Sequence, residues 1–135
     1  MENKQRYFLR KKDKLKSRKV IGTIFSKGNS FAIFPFKVIW LPKNEEALLQ
    51  TGIGVSSRHF KKAVDRNRIK RLMREAWRLQ KNELQESLIK NNKTISVFIL
   101  YTGKELPAYN LVFEKFTNII NRLIKITDAN PQVYP

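Results

Sequence analysis

The chain contains no cysteine and one histidine among its 135 residues, and 28 basic residues outnumber its 11 acidic ones. The absence of cysteine excludes a disulfide framework, a thiolate zinc site and a cysteine nucleophile, and a single histidine excludes a multi-histidine metal site. No apolar run approaches the roughly 18 residues of a transmembrane helix, and the first 20 residues lack the apolar stretch of a secretion signal. The apolar fraction of 41% suffices for the core of one domain. We therefore expect a cytoplasmic protein that binds a polyanion and does not enter a membrane.

The net charge of +17 is concentrated in two segments. Residues 4–19 hold nine basic residues and one acidic residue, and residues 58–81 hold ten basic and two acidic residues. The other 95 positions carry nine basic and eight acidic residues, so that part is nearly neutral. This distribution predicts a near-neutral domain with two cationic attachments, as is typical of nucleic-acid-binding proteins.

The pattern of apolar residues predicts an α+β fold in one domain. We expect a basic N-terminal arm at 1–16, the domain at 17–127 and a C-terminal tail at 128–135. Inside the domain the predicted order is helix, strand, strand, helix, strand, helix, with the bounds 17–28, 31–41, 49–56, 60–84, 94–101 and 108–126.

Individual residues refine the expected strands. Pro35 requires that the first strand be an edge strand, contain a bulge or begin late, and the polar residues 43–46 predict a hairpin connection to the second strand. Gly52 and Gly54 alternate in the second strand and predict a close backbone approach on one face. The continuous apolar run 94–101 is typical of a strand at the centre of a sheet.

The helix predicted at 60–84 separates apolar from basic residues. At about 100° per residue, one arc contains the apolar residues Ile69, Leu72, Met73, Ala76 and Leu79. The opposite arc contains Asn67, Lys70, Arg71, Arg74, Arg78 and Lys81, with Arg66 at the border and Arg68 between the arcs. Successive cations lie about 5.4 Å apart along the axis, close to the spacing of phosphates on a nucleic-acid strand. Like charges at this spacing repel one another. The repeated basic residues on one face therefore favour the interpretation that this face binds an anionic partner over the interpretation that it is only solvated.

The same helix carries a recognisable motif. Residues 66–72 are Arg-Asn-Arg-Ile-Lys-Arg-Leu and residues 74–78 are Arg-Glu-Ala-Trp-Arg. This stretch closely resembles the signature helix of the bacterial ribonuclease P protein component family. The preceding Gly-Ile-Gly-Val-Ser at 52–56, the Ile-Phe-Ser-Lys-Gly at 24–28 and the basic arm are also similar to that family, in the same order. The resemblance covers most of the chain.

The resemblance implies both a fold and an activity. The fold would be a two-layer α/β sandwich with a central sheet of about four strands, three helices and a left-handed βαβ crossover, where pattern alone predicts a right-handed one. The protein would be the accessory subunit of a ribonucleoprotein endoribonuclease that removes the 5′ leader of precursor tRNA. Its partners would be the RNA subunit, which performs catalysis and holds most of the Mg²⁺, and precursor tRNA. No obligate protein partner and no metal bound by the protein alone are expected.

The resemblance also implies two binding sites, and no catalytic residue is expected in the protein. The residues expected to bind the RNA subunit are Arg58, Lys61, Lys62, Arg66, Asn67, Arg68, Lys70, Arg71, Arg74 and Arg78. A cleft between the first helix and the sheet would bind the single-stranded leader, and its candidate residues are Ile21, Phe25, Phe36, Ile39 and Trp40. Aromatic faces beside a basic track are typical of single-strand binding. Ile39 matches the family position, whereas a bulge at Pro35 would turn Trp40 or Phe36 to the cleft instead.

Two other functions are compatible with parts of the sequence. The charge alone also fits a non-catalytic, ribosome-associated RNA-binding protein. A self-sufficient nuclease would need clustered carboxylates or histidines, for which the adjacent Glu45 and Glu46 are the candidates, although adjacent acids in a turn are usually only solvated. His59 has no acidic residue beside it to orient it, so we interpret it as a phosphate contact or a bystander.

Overall fold

The computed structural model describes residues 28–42 and 48–129. The predicted arm, nearly all of the predicted first helix, the 43–46 connection and the end of the tail therefore lie outside the described residues. The described elements are four strands and two helices: β1 (Asn29–Ile33), β2 (Phe36–Pro42), β3 (Leu49–Val55), α1 (Ala63–Lys90), β4 (Ile95–Tyr101) and α2 (Tyr109–Ala129).

The four strands form one mixed sheet in the order β1-β2-β4-β3. The strand β4 pairs antiparallel with β2 and parallel with β3, so the apolar run predicted for the sheet centre does lie there. Because β4 separates β2 from β3, the predicted hairpin between those two strands is wrong. The helix α1 connects β3 to β4, and a parallel pair requires such a crossover.

The prediction of one strand at 31–41 is wrong, because the chain reverses at Phe34 and Pro35. Of the alternatives that Pro35 left open, the late start is confirmed, since β2 begins at Phe36. The Phe34–Pro35 peptide bond is cis, and β1 and β2 pair antiparallel on either side of this turn, with Ile33 opposite Phe36. Proline has no N–H to donate to a ladder, so a turn accommodates it better than a strand interior does. Its carbonyl oxygen accepts hydrogen bonds from the Thr102 backbone N–H and hydroxyl at 2.8 and 3.0 Å.

The core lies between one face of the sheet and the two helices. Phe36, Val38 and Trp40 alternate along β2 with residues of the other face and join a buried cluster that includes Met73 of α1 and Phe116 of α2. The Phe36 and Phe116 rings meet edge to face, with 5.1 Å between their centroids. The described part of the chain is therefore a two-layer arrangement in which both described helices cover the same face of a four-stranded sheet.

Both described helices extend beyond their predicted ends. The helix α1 continues to Lys90 and α2 to Ala129. Asp128, predicted to begin the tail, instead belongs to α2 and accepts hydrogen bonds from the Ser87 hydroxyl at 3.1 Å and the Asn91 amide at 2.7 Å. These bonds join the ends of the two helices. Within the described part of the chain, neither helix is both long enough and apolar enough to span a membrane.

Candidate nucleic-acid interface

The helix α1 contacts the core through a face that differs from the predicted one. Its buried side chains include Ile69, Met73 and Ala76, as expected, but also Trp77 and Lys81. At about 100° per residue, the observed face is rotated by about 70° from the predicted arc. The rotation follows from the second helix: α1 packs against α2 as well as the sheet, and Trp77 meets Phe116 of α2 with 6.3 Å between centroids.

Two residues are misplaced by the sequence-based helix plot as a result. Leu79, predicted to be buried, is 41% exposed, and Lys81, predicted for the cationic row, is 2% exposed. The long aliphatic part of a lysine side chain packs well among apolar neighbours, and counting Lys81 only as a charge concealed this. Lys81 is therefore not part of the surface offered to a polyanion.

Four of the residues predicted to bind RNA lie on the part of α1 that faces away from the core. Asn67, Arg68, Arg71 and Arg74 are all exposed, and we call them the basic face. Lys70 is half-buried at its edge. Among the described residues, the three arginines of the basic face form no ion pair or hydrogen bond through their side chains. Their guanidinium groups can therefore donate to phosphate oxygens in the bidentate geometry that arginine favours.

The loop before α1 brings three more exposed cations, Arg58, Lys61 and Lys62, to the beginning of the same helix. Phe60 anchors this loop, because it is buried and its ring lies 6.1 Å from that of Tyr101. No side chain caps the helix at Lys62. The N-terminus of α1 thus has three exposed cations against one acidic residue in its first turn, Asp65, and its backbone N–H groups and helix dipole also favour an anion.

Arg66 links the loop to the helix. Its Nη1 atom donates hydrogen bonds to the carbonyl oxygens of Phe60 and Lys61, both at 2.8 Å. The side chain is half-buried, and one of its N–H-bearing nitrogens already donates to carbonyl oxygens within the protein. Arg66 therefore positions the neighbouring cations, and its predicted direct contact with RNA stays a prediction.

Arg78 is paired with an acidic residue one turn earlier. Its Nε and Nη2 atoms donate to Oε1 and Oε2 of Glu75 at 3.2 and 2.6 Å. This hydrogen bonding raises the pKa of the Arg78 guanidinium, while partial burial acts in the opposite direction. Because Glu75 offsets its charge, Arg78 offers less attraction to a phosphate than Arg71 or Arg74. Sequence reasoning named Arg78 but missed this pair, which the i, i+3 spacing signals.

The three described leader-binding candidates, Phe36, Ile39 and Trp40, do not share one face of the sheet. Phe36 and Trp40 are buried in the core against the helices, so their assignment to a cleft is wrong. The tight turn at Pro35 leaves β2 regular, with alternate residues on opposite faces and no bulge to redirect them. Ile39 is also buried, at 4% exposed, but it lies on the sheet face opposite the described helices and outside their core cluster. Ile21 and Phe25 lie outside the described residues.

The face around Ile39 contains an aromatic residue that the sequence did not single out. Phe98 of β4 lies directly opposite Ile39 in the strand register, and its ring passes over Gly54 of β3. A Cβ atom at Gly54 would lie 2.9 Å from Cζ of Phe98, so an aromatic side chain, and not the backbone that the prediction named, approaches this glycine closely. The exposed Lys37 lies on the same face. The signal for Phe98 was the glycine, since the apolar run around it shows no alternation.

The acidic residues and the histidine form no metal-binding group in the described part of the chain. Within residues 28–42 and 48–129, no three of His, Asp and Glu are grouped so that they could hold a metal ion. Glu45 and Glu46 lie outside the described residues. His59 is exposed in the cationic loop, where a phosphate contact is possible.

Comparisons with known proteins agree with this geometry. The family model for ribonuclease P matches residues 9–124. Ribonuclease P protein components of Porphyromonas gingivalis and Chlorobium phaeobacteroides are 32% and 28% identical to this chain, over 106 and 127 residues. The first alignment covers 77% of both chains, and the second covers 85% of this chain and 87% of the relative.

Solved structures share the fold. The ribonuclease P protein of Staphylococcus aureus superposes with a TM-score of 0.67 at 21% identity, covering 82% of this chain and 94% of that one. The ribonuclease P protein of Thermotoga maritima gives a TM-score of 0.65 at 26% identity and covers 81% and 96% of the two chains. With its basic helix on a four-stranded α+β sheet, this chain belongs to the ribonuclease P protein component family, the protein subunit of a tRNA-processing ribonucleoprotein endoribonuclease.

Proposed function

We propose that the basic face of α1 docks on the RNA subunit of ribonuclease P. The observation that carries this proposal is the orientation of Arg68, Arg71 and Arg74, which point away from the core and have no partner among the described residues. Their spacing of three residues puts them about 4.5 Å apart along the helix axis, so each can contact a different phosphate. The cations of the preceding loop, Arg58, Lys61 and Lys62, extend this surface past the helix N-terminus.

The other candidate residues of α1 have graded roles in this proposal. Lys70 contributes charge from the edge of the basic face, and Asn67 donates a neutral hydrogen bond. Arg78 contributes less than Arg71 because Glu75 occupies its guanidinium. Arg66 acts mainly by fixing the loop that carries Lys61 and Lys62, through its bonds to two carbonyl oxygens in that loop.

The 5′ leader of precursor tRNA is proposed to bind along the sheet face that contains Ile39 and Phe98. A half-buried aromatic ring beside an exposed lysine, here Phe98 and Lys37, is the combination that binds single-stranded RNA by stacking and charge. The candidates Ile21 and Phe25 belong to this proposal through the family resemblance only. Removal of the side chain of Lys37 should weaken precursor tRNA binding more than mature tRNA binding, since mature tRNA has no leader. Lys90→Ala, an exposed lysine at the far end of α1, is the matched control.

Phosphodiester hydrolysis is proposed to be performed by the RNA subunit, which would hold most of the Mg²⁺. The protein would then supply binding and orientation: it fixes the RNA subunit through arginine contacts and holds the leader beside it, in the cytoplasm and without an obligate protein partner. Holding two reactants in a productive geometry lowers the barrier through entropy alone, without any catalytic group on the protein.

We also propose that the β3–α1–β4 crossover is left-handed, as the family resemblance implies. The parallel, adjacent pairing of β3 and β4 with one connecting helix supports the presence of the crossover unit. Its hand can be read from an experimentally determined structure, and a right-handed connection would refute this part of the proposal.

The proposed function is tested by reconstitution. Purified protein is added to a bacterial ribonuclease P RNA at moderate Mg²⁺, and cleavage of a 5′-labelled precursor tRNA is followed on a gel. We expect the protein to increase the rate at which the leader is released. If the rate does not change, the protein is not acting as the ribonuclease P subunit; if the protein cleaves without RNA, the proposed division of chemistry is wrong.

A further inference from the structure

A cavity of about 660 Å³ opens at the end of the sheet where the β1–β2 turn faces the loop from β4 to α2. Its walls come from that turn, from residues 102–108 and from the first turns of α2. None of the interactions described for the basic face or the leader involves this cavity. Its volume is within the range of sites that hold a small ligand or a single nucleobase.

The apolar wall of the cavity is unusually exposed. Phe34, at the tip of the hairpin, is 78% exposed, and Leu106 and Leu111 are 45% and 36% exposed. Single exposed apolar residues need no explanation, but here three of them border one concave surface. The exposed aromatic ring is the distinguishing feature of this wall.

The cavity is preformed rather than assembled from mobile loops. The Thr102 backbone N–H and hydroxyl both donate to the Pro35 carbonyl, which ties the two loops together. The Tyr101 hydroxyl donates to the Glu105 carbonyl at 2.5 Å and fixes the middle of the second loop. Gly103 lies so close to the same ring that an added Cβ would be 2.6 Å from Cζ of Tyr101. A rigid site loses little conformational entropy when a ligand binds.

Charge indicates which ligand the cavity fits. Lys104 and Lys115 line it, and Glu105 is the one acidic residue among its lining residues. An exposed aromatic ring can stack on a base, and lysines that line the same cavity can contact the flanking phosphates. A protein partner is less favoured, because lysine is depleted in the cores of protein interfaces.

The cavity also lies at the same end of the sheet as the N-terminus of α1. The Ser56 backbone N–H, at the start of the loop that precedes α1, donates to the Tyr101 carbonyl at 3.2 Å, and the Phe60 ring contacts Tyr101. Tyr101 is therefore shared by the cavity and by the loop that carries Arg58, Lys61 and Lys62. An RNA held at that cationic end would pass close to the cavity.

We infer that the cavity receives one unstacked base of the ribonuclease P RNA subunit, which stacks on Phe34 while Lys104 and Lys115 contact adjacent phosphates. The inference rests on the proposed docking of α1 on that RNA, and it adds a base-reading contact to a surface that otherwise contacts phosphates. It makes Phe34 a binding residue, although its position in a turn gives no such signal in the sequence.

The test compares Phe34→Ala with Phe34→Tyr and with a matched control, Ile89→Ala. Ile89 is 64% exposed and lies at the C-terminal end of α1, away from the cavity. The Kd for a bacterial ribonuclease P RNA alone is measured by titration of full-length protein, with thermal unfolding as a check on folding. We expect Phe34→Ala to weaken binding by about 5- to 150-fold, the range for one stacked base. Phe34→Tyr should stay within about threefold of the wild type, because it keeps the ring, and Ile89→Ala should bind as the wild type does.

Other results would overturn the inference while leaving the proposed function intact. If Arg68→Ala weakens RNA binding but Phe34→Ala does not, the basic face docks on RNA and the cavity takes no base. If Phe34→Ala lowers only the affinity of the assembled holoenzyme for precursor tRNA, the occupant is the substrate. If it changes only the sedimentation of the free protein, the occupant is a second copy of the chain.

Discussion

A substitution of Arg66 distinguishes most clearly between cations of α1 that stabilise the protein and cations that contact RNA. Its Nη1 atom donates to the Phe60 and Lys61 carbonyls at 2.8 Å, and the first of these bonds is partly buried. Hydrogen bonds from charged groups contribute about 1.5–3 kcal/mol each, and exposure of the Lys61 bond puts it at or below the low end. We therefore expect Arg66→Ala to lower the free energy of unfolding by about 2–3 kcal/mol. In a domain of this size that corresponds to a fall in Tm of about 6–12 °C.

The assay is urea denaturation of Arg66→Ala beside Arg68→Ala and Arg66→Lys. Arg68 is exposed on the basic face, so its loss should change stability by at most about 0.5 kcal/mol. Lysine at position 66 keeps the charge but not the planar fork that reaches two carbonyls, so Arg66→Lys should restore the salt dependence of RNA binding more fully than it restores stability. Equal urea midpoints for Arg66→Ala and Arg68→Ala would refute the positioning role of Arg66.

Three further predictions follow from contacts elsewhere. Glu75→Gln removes the carboxylate that pairs with Arg78, so the affinity for RNA should rise a few-fold. The slope of log K against log salt should steepen by about 0.7–0.9. An unchanged slope in a binding titration would contradict the pairing argument. Burial raises the pKa of the Tyr101 phenol, so the contribution of the neutral phenol to stability is complete below about pH 10 and is lost as pH rises through the raised pKa. The stability difference between wild type and Tyr101→Phe should therefore shrink above pH 10. A constant difference would argue against this role of Tyr101. Gly54→Ala puts a Cβ against the Phe98 ring and should cost about 1–3 kcal/mol of stability in urea denaturation, so a variant as stable as the wild type would show that the ring yields freely.

Elements with strong local patterns were predictable from the sequence. The run 94–101 contains eight residues without a charge, and it does form the central strand β4, while the apolar spacing of α2 predicted a helix there correctly. The motif at 66–72 identified both the basic helix and the family. In each case local propensity and tertiary packing favour the same structure.

The errors arose where a distant contact decides the structure. Pro35 was placed in a strand because nothing local distinguishes a bulge from a hairpin, and the hairpin depends on pairing across β1 and β2. Lys81 was assigned to the cationic row because its burial depends on α2 packing beside α1. Phe36 and Trp40 were assigned to the cleft for their aromatic rings, although the register of β2 against β4 directs both to the core.

The candidate site was predictable as a set of residues but not as a set of roles. From sequence position alone, Arg66, Arg71 and Arg78 are equivalent candidates for RNA binding. In the structure Arg66 is hydrogen-bonded to the preceding loop, Arg71 is exposed and Arg78 is paired with Glu75. These differences depend on rotamers and on backbone carbonyls outside the helix, which a helical plot does not contain.

The central claim, that the basic face of α1 docks on the RNA subunit, is tested most directly by the salt dependence of binding. The Kd for ribonuclease P RNA is measured from low to physiological salt for Arg68→Ala/Arg71→Ala and for Lys90→Ala/Lys125→Ala, which removes the same charge from exposed sites elsewhere. The claim predicts that the slope of log K against log salt falls in magnitude by about 1.4–1.8 for the arginine pair and stays at the wild-type value for the lysine pair. Equal slopes for the two double variants would contradict it, because RNA would then respond to net charge and not to this face.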